Sequence, residues 1–267
     1  MRVLIALILL YALPAQALEL DGTFKQGGLV IGHTEPGAEV TLDGATVEVA
    51  ANGAFVIGFA RDAKPSAVLK AVANGQMEQR TLTIAKQNYK IQRIDGLPSR
   101  KVTPKPEDIK RIKADNSKIW GVRGTMTADT RFLTGFQWPV KGPISGVFGS
   151  QRILNGKPKS PHNGVDIAAS TGTPITAPAD GVVALVHQDM FYTGKTVMID
   201  HGLGLTTVYA HMDSISVIDG QLVSQGDKLG TVGKTGRVTG AHLHWGMTWK
   251  STHLDPMLAT GPMVKTK

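Results

Sequence analysis

Two short stretches, residues 162–166 (HNGVD) and residues 242–244 (HLH), decide how the C-terminal half of the chain is interpreted. The central Asn-Gly pair of the first stretch disfavours a helix, so we predict a turn that enters a strand. In the second stretch His242 and His244 are two residues apart, and alternate residues of a strand point to the same side. Both imidazoles are therefore expected to face one space.

Histidine and aspartate at these spacings can hold a small metal ion. Two histidines and one aspartate bind Zn²⁺ and leave a fourth position for water, as in catalytic rather than structural zinc sites. The chain has no cysteine, which excludes thiolate ligands and cysteine catalysis. Residues 124–267 contain no glutamate, which excludes a thermolysin-like site with its glutamate base. A base that activates water here is then predicted to be His or Asp.

The region around these stretches has the pattern of a β domain. Short apolar runs alternate with glycine-rich turns, and no run has a helical period. We predict a mostly antiparallel β domain over residues 135–267. Its predicted strands are 142–148, 173–177, 181–187, 196–201, 205–211, 227–232 and 242–248.

The N-terminal part has a different organisation. Residues 18–92 contain about six β-rich runs, with Asp43-Gly44 as a hairpin signal, and predict a small β-sandwich. Residues 93–134 are interpreted as a polar, mobile connector interrupted by prolines, with a helix from Pro106 through about Lys118. The fold class predicted for the whole chain is therefore mostly all-β, with a helical connector between two β units.

The first residues have the composition of an export signal. Arg2, an apolar run over residues 3–13 and the sequence Ala15-Gln16-Ala17 predict a signal peptide, residues 1–17, cleaved after Ala17. The apolar run is shorter than the roughly 20 residues that span a bilayer. We expect an exported protein, located in the periplasm and associated with the cell wall.

The formal net charge of +8 is concentrated in one segment. Residues 86–123 contain eleven basic and four acidic side chains. In an exported protein such a segment favours contact with an anionic wall or membrane surface over nucleic acid. A solvated helix face is an equally good interpretation of the same charges.

Several ordered motifs give the C-terminal region a specific resemblance. They are 138–140 (WPV), 146–149 (GVFG), 162–168 (HNGVDIA), 178–183 (PADGVV), 209–211 (YAH), 226–227 (GD) and 240–245 (GAHLHW). In this order and spacing they resemble the lysostaphin-type (LytM-like) zinc endopeptidases, which hydrolyse peptidoglycan. The resemblance implies Zn²⁺ as cofactor and a peptidoglycan peptide as substrate.

The resemblance also implies a role for each motif histidine. His162, Asp166 and His244 correspond to the zinc ligands. His211 and His242 correspond to the pair that deprotonates water and stabilises the developing oxyanion. For a periplasmic enzyme, the bond expected to be cut is the D-alanyl–diaminopimelate cross-link.

Other classes of protein fit parts of the same sequence. A non-catalytic relative that regulates cell-wall amidases would lack ligands, whereas all five motif positions are intact here. A glycine bridge or a protein is an alternative substrate. Residues 179–183 and 223–230 resemble the strands of biotinyl carrier domains, but no Met-Lys-Met site occurs. The remaining side chains of interest are expected to lie on the surface, in turns or in the core, namely His33, His187, His201, His253, Asp180, Asp227 and Tyr209.

Overall fold

The structure, a computed structural model, describes residues 18–263. The predicted signal peptide, residues 1–17, lies outside the described residues. The prediction of a mostly β chain is confirmed, because the described residues form twenty strands and three α-helices. In this described part, no helix is long and apolar enough to cross a membrane.

The N-terminal module consists of seven strands in two antiparallel sheets. The strands are β1 Glu19–Gly22, β2 Leu29–His33, β3 Glu39–Leu42, β4 Ala45–Val47, β5 Ala54–Gly58, β6 Ser66–Ala73 and β7 Gln76–Thr83. One sheet has the order β1-β2-β5 and the other β4-β3-β6-β7. Asp43 and Gly44 have φ angles of 49° and 83°, as the predicted tight hairpin between β3 and β4 requires. Both sheets contribute to one hydrophobic cluster, which makes them the two layers of the expected sandwich.

The connector contains more regular structure than its sequence predicts. Its elements are β8 Ile91–Ile94, α1 Ser99–Val102, α2 Pro106–Gly124 and a 3-10 turn Arg131–Thr134. Helix α2 begins at the predicted Pro106, with two acidic residues in its first turn. It continues past Lys118 to Gly124, so the predicted end is too early.

The C-terminal domain is built on one ten-stranded antiparallel sheet. Its elements, with two short strands of a separate sheet (β10 and β11), are β9 Ile144–Gly146, β10 Gln151–Leu154, β11 Lys157–Pro158, β12 Val165–Ala168, β13 Pro174–Thr176, β14 Gly181–Met190, β15 Gly194–Asp200, β16 Leu205–Ile215, β17 Leu222–Val223, β18 Lys228–Val232, β19 His242–Trp249, β20 Thr252–Leu254 and α3 Pro256–Thr260. The main path runs β17-β14-β15-β16-β19-β12-β9, and β18 joins β13 to β16. The expected antiparallel β domain is thereby confirmed, with β19 and β12 adjacent towards one end of the main path.

The connector is packed against this domain and is not a free linker. Strand β8 pairs in parallel with β10, from Ile91 opposite Gln151 to Ile94 opposite Leu154. In α2 the buried Asp115 carboxylate accepts a hydrogen bond of 2.7 Å from the backbone N–H of Phe191, just after β14. These contacts explain why α2 is longer than its own sequence predicts, since tertiary packing stabilises helical turns that are marginal alone.

One continuous hydrophobic cluster joins the module to the C-terminal domain. Val30, Phe55 and Leu69 of the module lie in the same cluster as Leu205 of β16 and Leu254 of β20. A second cluster fills the rest of the C-terminal sheet around Tyr209 and Trp245. The N-terminal module therefore shares its core with the domain that carries the two histidine motifs.

Candidate metal centre and catalytic cleft

The pairing of β12 with β19 brings the two sequence motifs together. In their antiparallel register Asp166 lies directly opposite His244, and Ala168 lies opposite His242. His162 precedes β12 in a loop fixed by two backbone hydrogen bonds, from its N–H to Ser150 O and from the Gly149 N–H to its own carbonyl. Strand pairing and a pinned loop thus converge on one point.

Three ligand atoms meet at that point. His162 Nε2 lies 3.0 Å from Asp166 Oδ1, and His244 Nδ1 lies 2.8 Å from the same oxygen. The two histidine nitrogens are 3.0 Å apart. Gly164 permits this approach, because a Cβ there would lie 2.9 Å from His244 Cε1. The structure therefore brings together the three residues that the resemblance implies as ligands.

The hydrogen bond of His162 Nδ1 determines that Nε2 is the nitrogen available as a ligand. His162 Nδ1 lies 3.2 Å from the carbonyl oxygen of Val147 and donates to it, which leaves the lone pair of Nε2 directed at Asp166 and His244. The side chain is 1% exposed, and this burial lowers its pKa to about 4. His162 is therefore held neutral, as a metal ligand must be.

Asp166 uses its two carboxylate oxygens differently. Oδ1 faces the histidines, while Oδ2 accepts a hydrogen bond of 2.7 Å from Arg152 Nη2. Burial alone would raise the pKa of Asp166, but the hydrogen bonds with His162 and His244 hold it well below its usual range. Arg152 is a site residue that the sequence motifs do not reveal, since β10 carries it to the centre from fourteen positions upstream.

The donor set fits Zn²⁺. Two imidazole nitrogens and one carboxylate oxygen are ligands that zinc prefers, and the three atoms lie within 4.8 Å of one another. Their separations of 2.8–3.0 Å are close to the roughly 3.3 Å between ligand atoms of a tetrahedral zinc ion. The Arg152 bond leaves Asp166 Oδ1 as the free carboxylate oxygen, so the residues present suit a bound zinc ion.

His211 and His242 flank this centre. Their ring centroids are 4.8 Å apart, and His242 Nε2 lies 3.8 Å from Asp166 Oδ1. His211 Nδ1 donates to Thr235 O at 2.8 Å, and His242 Nδ1 donates to Gly240 O at 2.9 Å. In the neutral form of each ring, the proton then lies on Nδ1 and Nε2 is free, the tautomer that a proton acceptor needs. The structure brings both predicted catalytic histidines to the same site.

The backbone of His211 is strained. Its φ angle is +65°, in the left-handed region that non-glycine residues rarely adopt, and its N–H donates to Thr193 O at 2.8 Å. Burial lowers the pKa of the imidazole well below its usual value, and the neighbouring His242 and His244 lower it further. Strain of this kind concentrates at functional sites.

The centre lies at the meeting point of two arms of a cleft. One arm, of about 370 Å³, contains His162 and His244, and the other, of about 410 Å³, contains Asp166 and His242. Four residues line both arms, namely Arg152, Leu154, His211 and Arg237. Gln92 and connector residues 93–95 and 97 line the second arm, so the connector forms part of the cleft wall.

The other histidines lie away from the centre. His201 is fully buried, donates from Nδ1 to Asp180 O at 2.6 Å and accepts from Thr207 Oγ1 at 2.8 Å. His253 is partly buried, and its pKa is lowered to about 4 by that burial. His33 lies in β2, His187 in β14, and Asp180 and Asp227 outside the strands. Tyr209 is buried in the domain core.

Comparisons with known proteins relate the C-terminal part of the chain to a family of peptidases. The sequence profile of peptidase family M23 matches residues 160–256. The chain is 41% identical over 107 residues to the peptidoglycan DD-endopeptidase ShyA of Vibrio cholerae, covering 40% of this chain and 25% of ShyA. It is 36% identical over 136 residues to ShyB of the same species, covering 51% of this chain and 29% of ShyB. The chain therefore spans less than a third of each of these two relatives.

A solved structure extends the comparison to most of the chain. The crystal structure of a peptidase M23 from Pseudomonas aeruginosa superposes with a TM-score of 0.70 at 30% sequence identity. The match covers 90% of this chain and 96% of that protein, so it includes the N-terminal module and the connector. The lysostaphin-type resemblance of the motifs is confirmed: the chain belongs to peptidase family M23.

Proposed function

We propose that the chain is an exported zinc endopeptidase that hydrolyses peptide cross-links in peptidoglycan, acting as a DD-endopeptidase. The observation that carries the proposal is the convergence of two histidine nitrogens and one carboxylate oxygen beside two further histidines with free Nε2 atoms. The similarity to relatives named peptidoglycan DD-endopeptidases supports the choice of substrate. The signal-like residues 1–17 support export to the periplasm.

His162, Asp166 and His244 would hold the zinc ion. When bound, zinc would act as a Lewis acid that polarises the scissile carbonyl group and makes a water molecule acidic enough to attack it. Arg152 would fix the Asp166 carboxylate so that Oδ1 stays directed at the two histidines.

His211 and His242 would carry the proton transfers. Each donates Nδ1–H to a backbone carbonyl, which fixes its ring and leaves Nε2 to accept a proton from the attacking water. Once protonated, an imidazolium beside the reacting carbonyl would stabilise the negative charge that develops on its oxygen. The residues of the cleft wall would hold the peptide and exclude bulk water from this region.

The basic segment over residues 86–123 offers a contact for the anionic wall. Lys86, Lys90, Lys110, Lys113 and Lys118 are exposed and have no ion pair within the described residues. We propose that these lysines hold the enzyme to the anionic wall. Binding to purified sacculi should then weaken as salt is raised, and replacing the five lysines with glutamine should remove the salt-dependent part.

Digestion of purified sacculi tests the proposed reaction. The protein with zinc should convert cross-linked muropeptide dimers into monomers, identified by mass spectrometry of the soluble products. Removing zinc with a chelator should abolish the conversion, and adding zinc back should restore it. Release of whole stem peptides from the glycan would instead indicate an amidase and would contradict the proposal.

A further inference from the structure

Arg237 is a cleft residue that the metal centre and the two catalytic histidines do not use. It lies in the loop between β18 and β19, and it lines both arms of the cleft together with His211. Its backbone N–H donates to Tyr192 O at 2.8 Å. Gly236 has φ +79°, and a Cβ there would lie only 2.4 Å from the same carbonyl oxygen. The loop therefore packs closely on the backbone of Tyr192, which fixes the backbone position of Arg237.

The guanidinium group is oriented but has no anionic partner. Its Cζ lies 4.4 Å from the centroid of the Tyr192 ring, a cation–π contact that helps to hold the group in place. Its one side-chain hydrogen bond within residues 18–263 is a long one, 3.4 Å from Nη1 to Lys101 O. No carboxylate of the described residues lies within 4.0 Å of it. A guanidinium has five N–H donors, so most of them are available to a ligand.

Arg152 provides the contrast within the same cleft. Its guanidinium is paired with Asp166 through a hydrogen bond of 2.7 Å. Burial lowers the pKa of Arg237, and the nearby Arg152 lowers it further. A desolvated cation that faces a second cation is costly unless an anion compensates it. The cleft therefore carries an uncompensated positive charge at this position.

One arm of the cleft has the same sign, whereas the other arm also contains Asp95 and Asp166. The arm of the cleft that contains His162 and His244 is lined by Arg152, Lys159 and Arg237, and no carboxylate is among its lining residues. Bidentate pairing with carboxylate is the interaction for which a planar, stacked guanidinium is best suited. The wall next to the metal centre is therefore complementary to a carboxylate located close to the bond that is cut.

We propose that Arg237 binds the carboxylate on the carbon that bears the scissile nitrogen, and so selects diaminopimelate cross-links over lysine cross-links. The inference rests on the proposed endopeptidase function. In a D-alanyl–diaminopimelate cross-link the scissile nitrogen is attached to a carbon with a free carboxylate. In a D-alanyl–lysine cross-link the same nitrogen is attached to a CH₂ group. The two substrates differ at the group that Arg237 would recognise.

Two matched muropeptide dimers, one with diaminopimelate and one with lysine at the acceptor position, test this selection. The wild-type protein should hydrolyse the diaminopimelate dimer with a kcat/KM about 10- to 100-fold higher, the range for one charge-assisted hydrogen-bonded pair. R237Q should lose this factor on the diaminopimelate dimer, mainly through KM, so that the ratio of kcat/KM between the two dimers falls close to one. R237K keeps the positive charge but lacks the paired N–H donors of a guanidinium. Its ratio of kcat/KM between the two dimers should lie between those of the wild type and R237Q. Equal losses on both dimers would overturn the proposal.

Arg123→Gln is the matched control. Arg123 is also a desolvated arginine beside an aromatic ring, with its Cζ 5.3 Å from the centroid of Trp120, but it does not line the cleft. R123Q should leave the ratio between the two dimers unchanged.

Binding of the uncrosslinked stem peptides separates this inference from the proposed reaction. These peptides lack the cross-link, and calorimetry should show tighter binding of the diaminopimelate peptide to the wild type but not to R237Q. If neither dimer is hydrolysed, the proposed function fails, and the calorimetry still decides the role of Arg237. Equal affinity of the wild type for both stem peptides would refute that role.

Discussion

At the scale of single residues, Arg152 shows how one side chain can prepare a proposed metal ligand. It binds Asp166 Oδ2 and so leaves Oδ1 beside His162 and His244. Its position is in turn fixed by the pairing of β10 with β8. Partners of this kind orient a ligand, and their loss commonly reduces metal affinity 10- to 100-fold.

Replacing Arg152 with glutamine is therefore expected to weaken zinc binding by roughly 10- to 100-fold. The Asp166 carboxylate would lose its fixed orientation while all three ligands remain. Competition with a fluorescent chelator measures the affinity directly. R152K, which keeps the charge, should lose less. A zinc affinity of R152Q equal to that of the wild type would contradict the orienting role.

The proposed division between ligands and proton-transfer residues predicts two different phenotypes. His244→Ala removes one of the three ligand atoms and should abolish both zinc content and hydrolysis. His211→Ala leaves all three ligands in place and should retain zinc while losing turnover by about 10²- to 10⁴-fold. Elemental analysis and sacculus digestion on the same preparations measure both properties. A fully active His211→Ala protein would remove His211 from the mechanism.

The sequence predicts some of these residues and not others, for a physical reason. Two short motifs with local spacing contain His162, Asp166, His242 and His244. The antiparallel pairing of β12 with β19 then brings these motifs together. Arg152 and Arg237 have no such spacing, because their position depends on which strands and loops become neighbours in space. The hairpin signal Asn155-Gly156, with φ angles of 46° and 75°, is the local clue that could have identified β10 and β11.

At the scale of elements, β16 links the catalytic cleft to the domain core. Its buried stretch, residues 205–212, carries Thr207, Tyr209 and His211. The Tyr209 hydroxyl lies 2.8 Å from Thr207 Oγ1, which in turn donates to His201 Nε2. His201 closes the network through its bond to Asp180 O. The element is therefore stabilised internally by a neutral, fully buried histidine.

This network predicts a specific pH dependence of stability. Burial lowers the pKa of His201 to about 4 in the folded chain, against 6.5 for a solvent-exposed histidine such as that of the unfolded chain. Between these values the unfolded chain binds one more proton than the folded chain, so stability falls as pH falls from about 6.5 to about 4. For a 2.5-unit difference, the loss is on the order of 3 kcal/mol.

His201→Asn isolates this contribution, because asparagine does not titrate. The variant should be less stable than the wild type at pH 7.5, since the Thr207 hydroxyl loses its acceptor. The gap should narrow as pH falls towards 4. Urea unfolding at a series of pH values measures both proteins, and the metal ligands affect both equally. Parallel curves for the two proteins would show that His201 does not carry the effect.

The connector is the part of the chain whose structure is predicted least well from its sequence. Its polar composition and prolines predict a mobile linker, whereas β8 pairs with β10 and α2 packs on β14. Two of its acidic residues, Asp108 and Asp115, are buried because they pair with Arg100 and with the Phe191 N–H. Composition alone cannot predict this, because the partner of Asp115 lies seventy-six residues away.

At the scale of the whole molecule, the module and the C-terminal domain are coupled through one core. The hydrophobic cluster of the module continues into Phe132, Leu203 and Trp249. All four tryptophans, at positions 120, 138, 245 and 249, lie outside the module. Tryptophan fluorescence therefore reports on unfolding of the connector and C-terminal domain, with Trp249 in the cluster that they share with the module.

Leu69→Ala uses this arrangement to test whether the molecule unfolds as one unit. Leu69 is fully buried in β6, and its truncation should cost about 2–5 kcal/mol because a cavity is left in the core. If the shared core couples the two parts, the free energy of unfolding measured by tryptophan fluorescence should fall by this whole amount. The unfolding transition measured by far-UV circular dichroism should have the same midpoint. Leu229→Ala is the matched control. Leu229 is fully buried in the separate cluster of the C-terminal sheet, so its truncation acts directly on the domain that contains the tryptophans. The alternative is that Leu69→Ala leaves the tryptophan transition unchanged, while part of the far-UV circular dichroism is lost at lower denaturant. That result would mean that the two parts unfold independently.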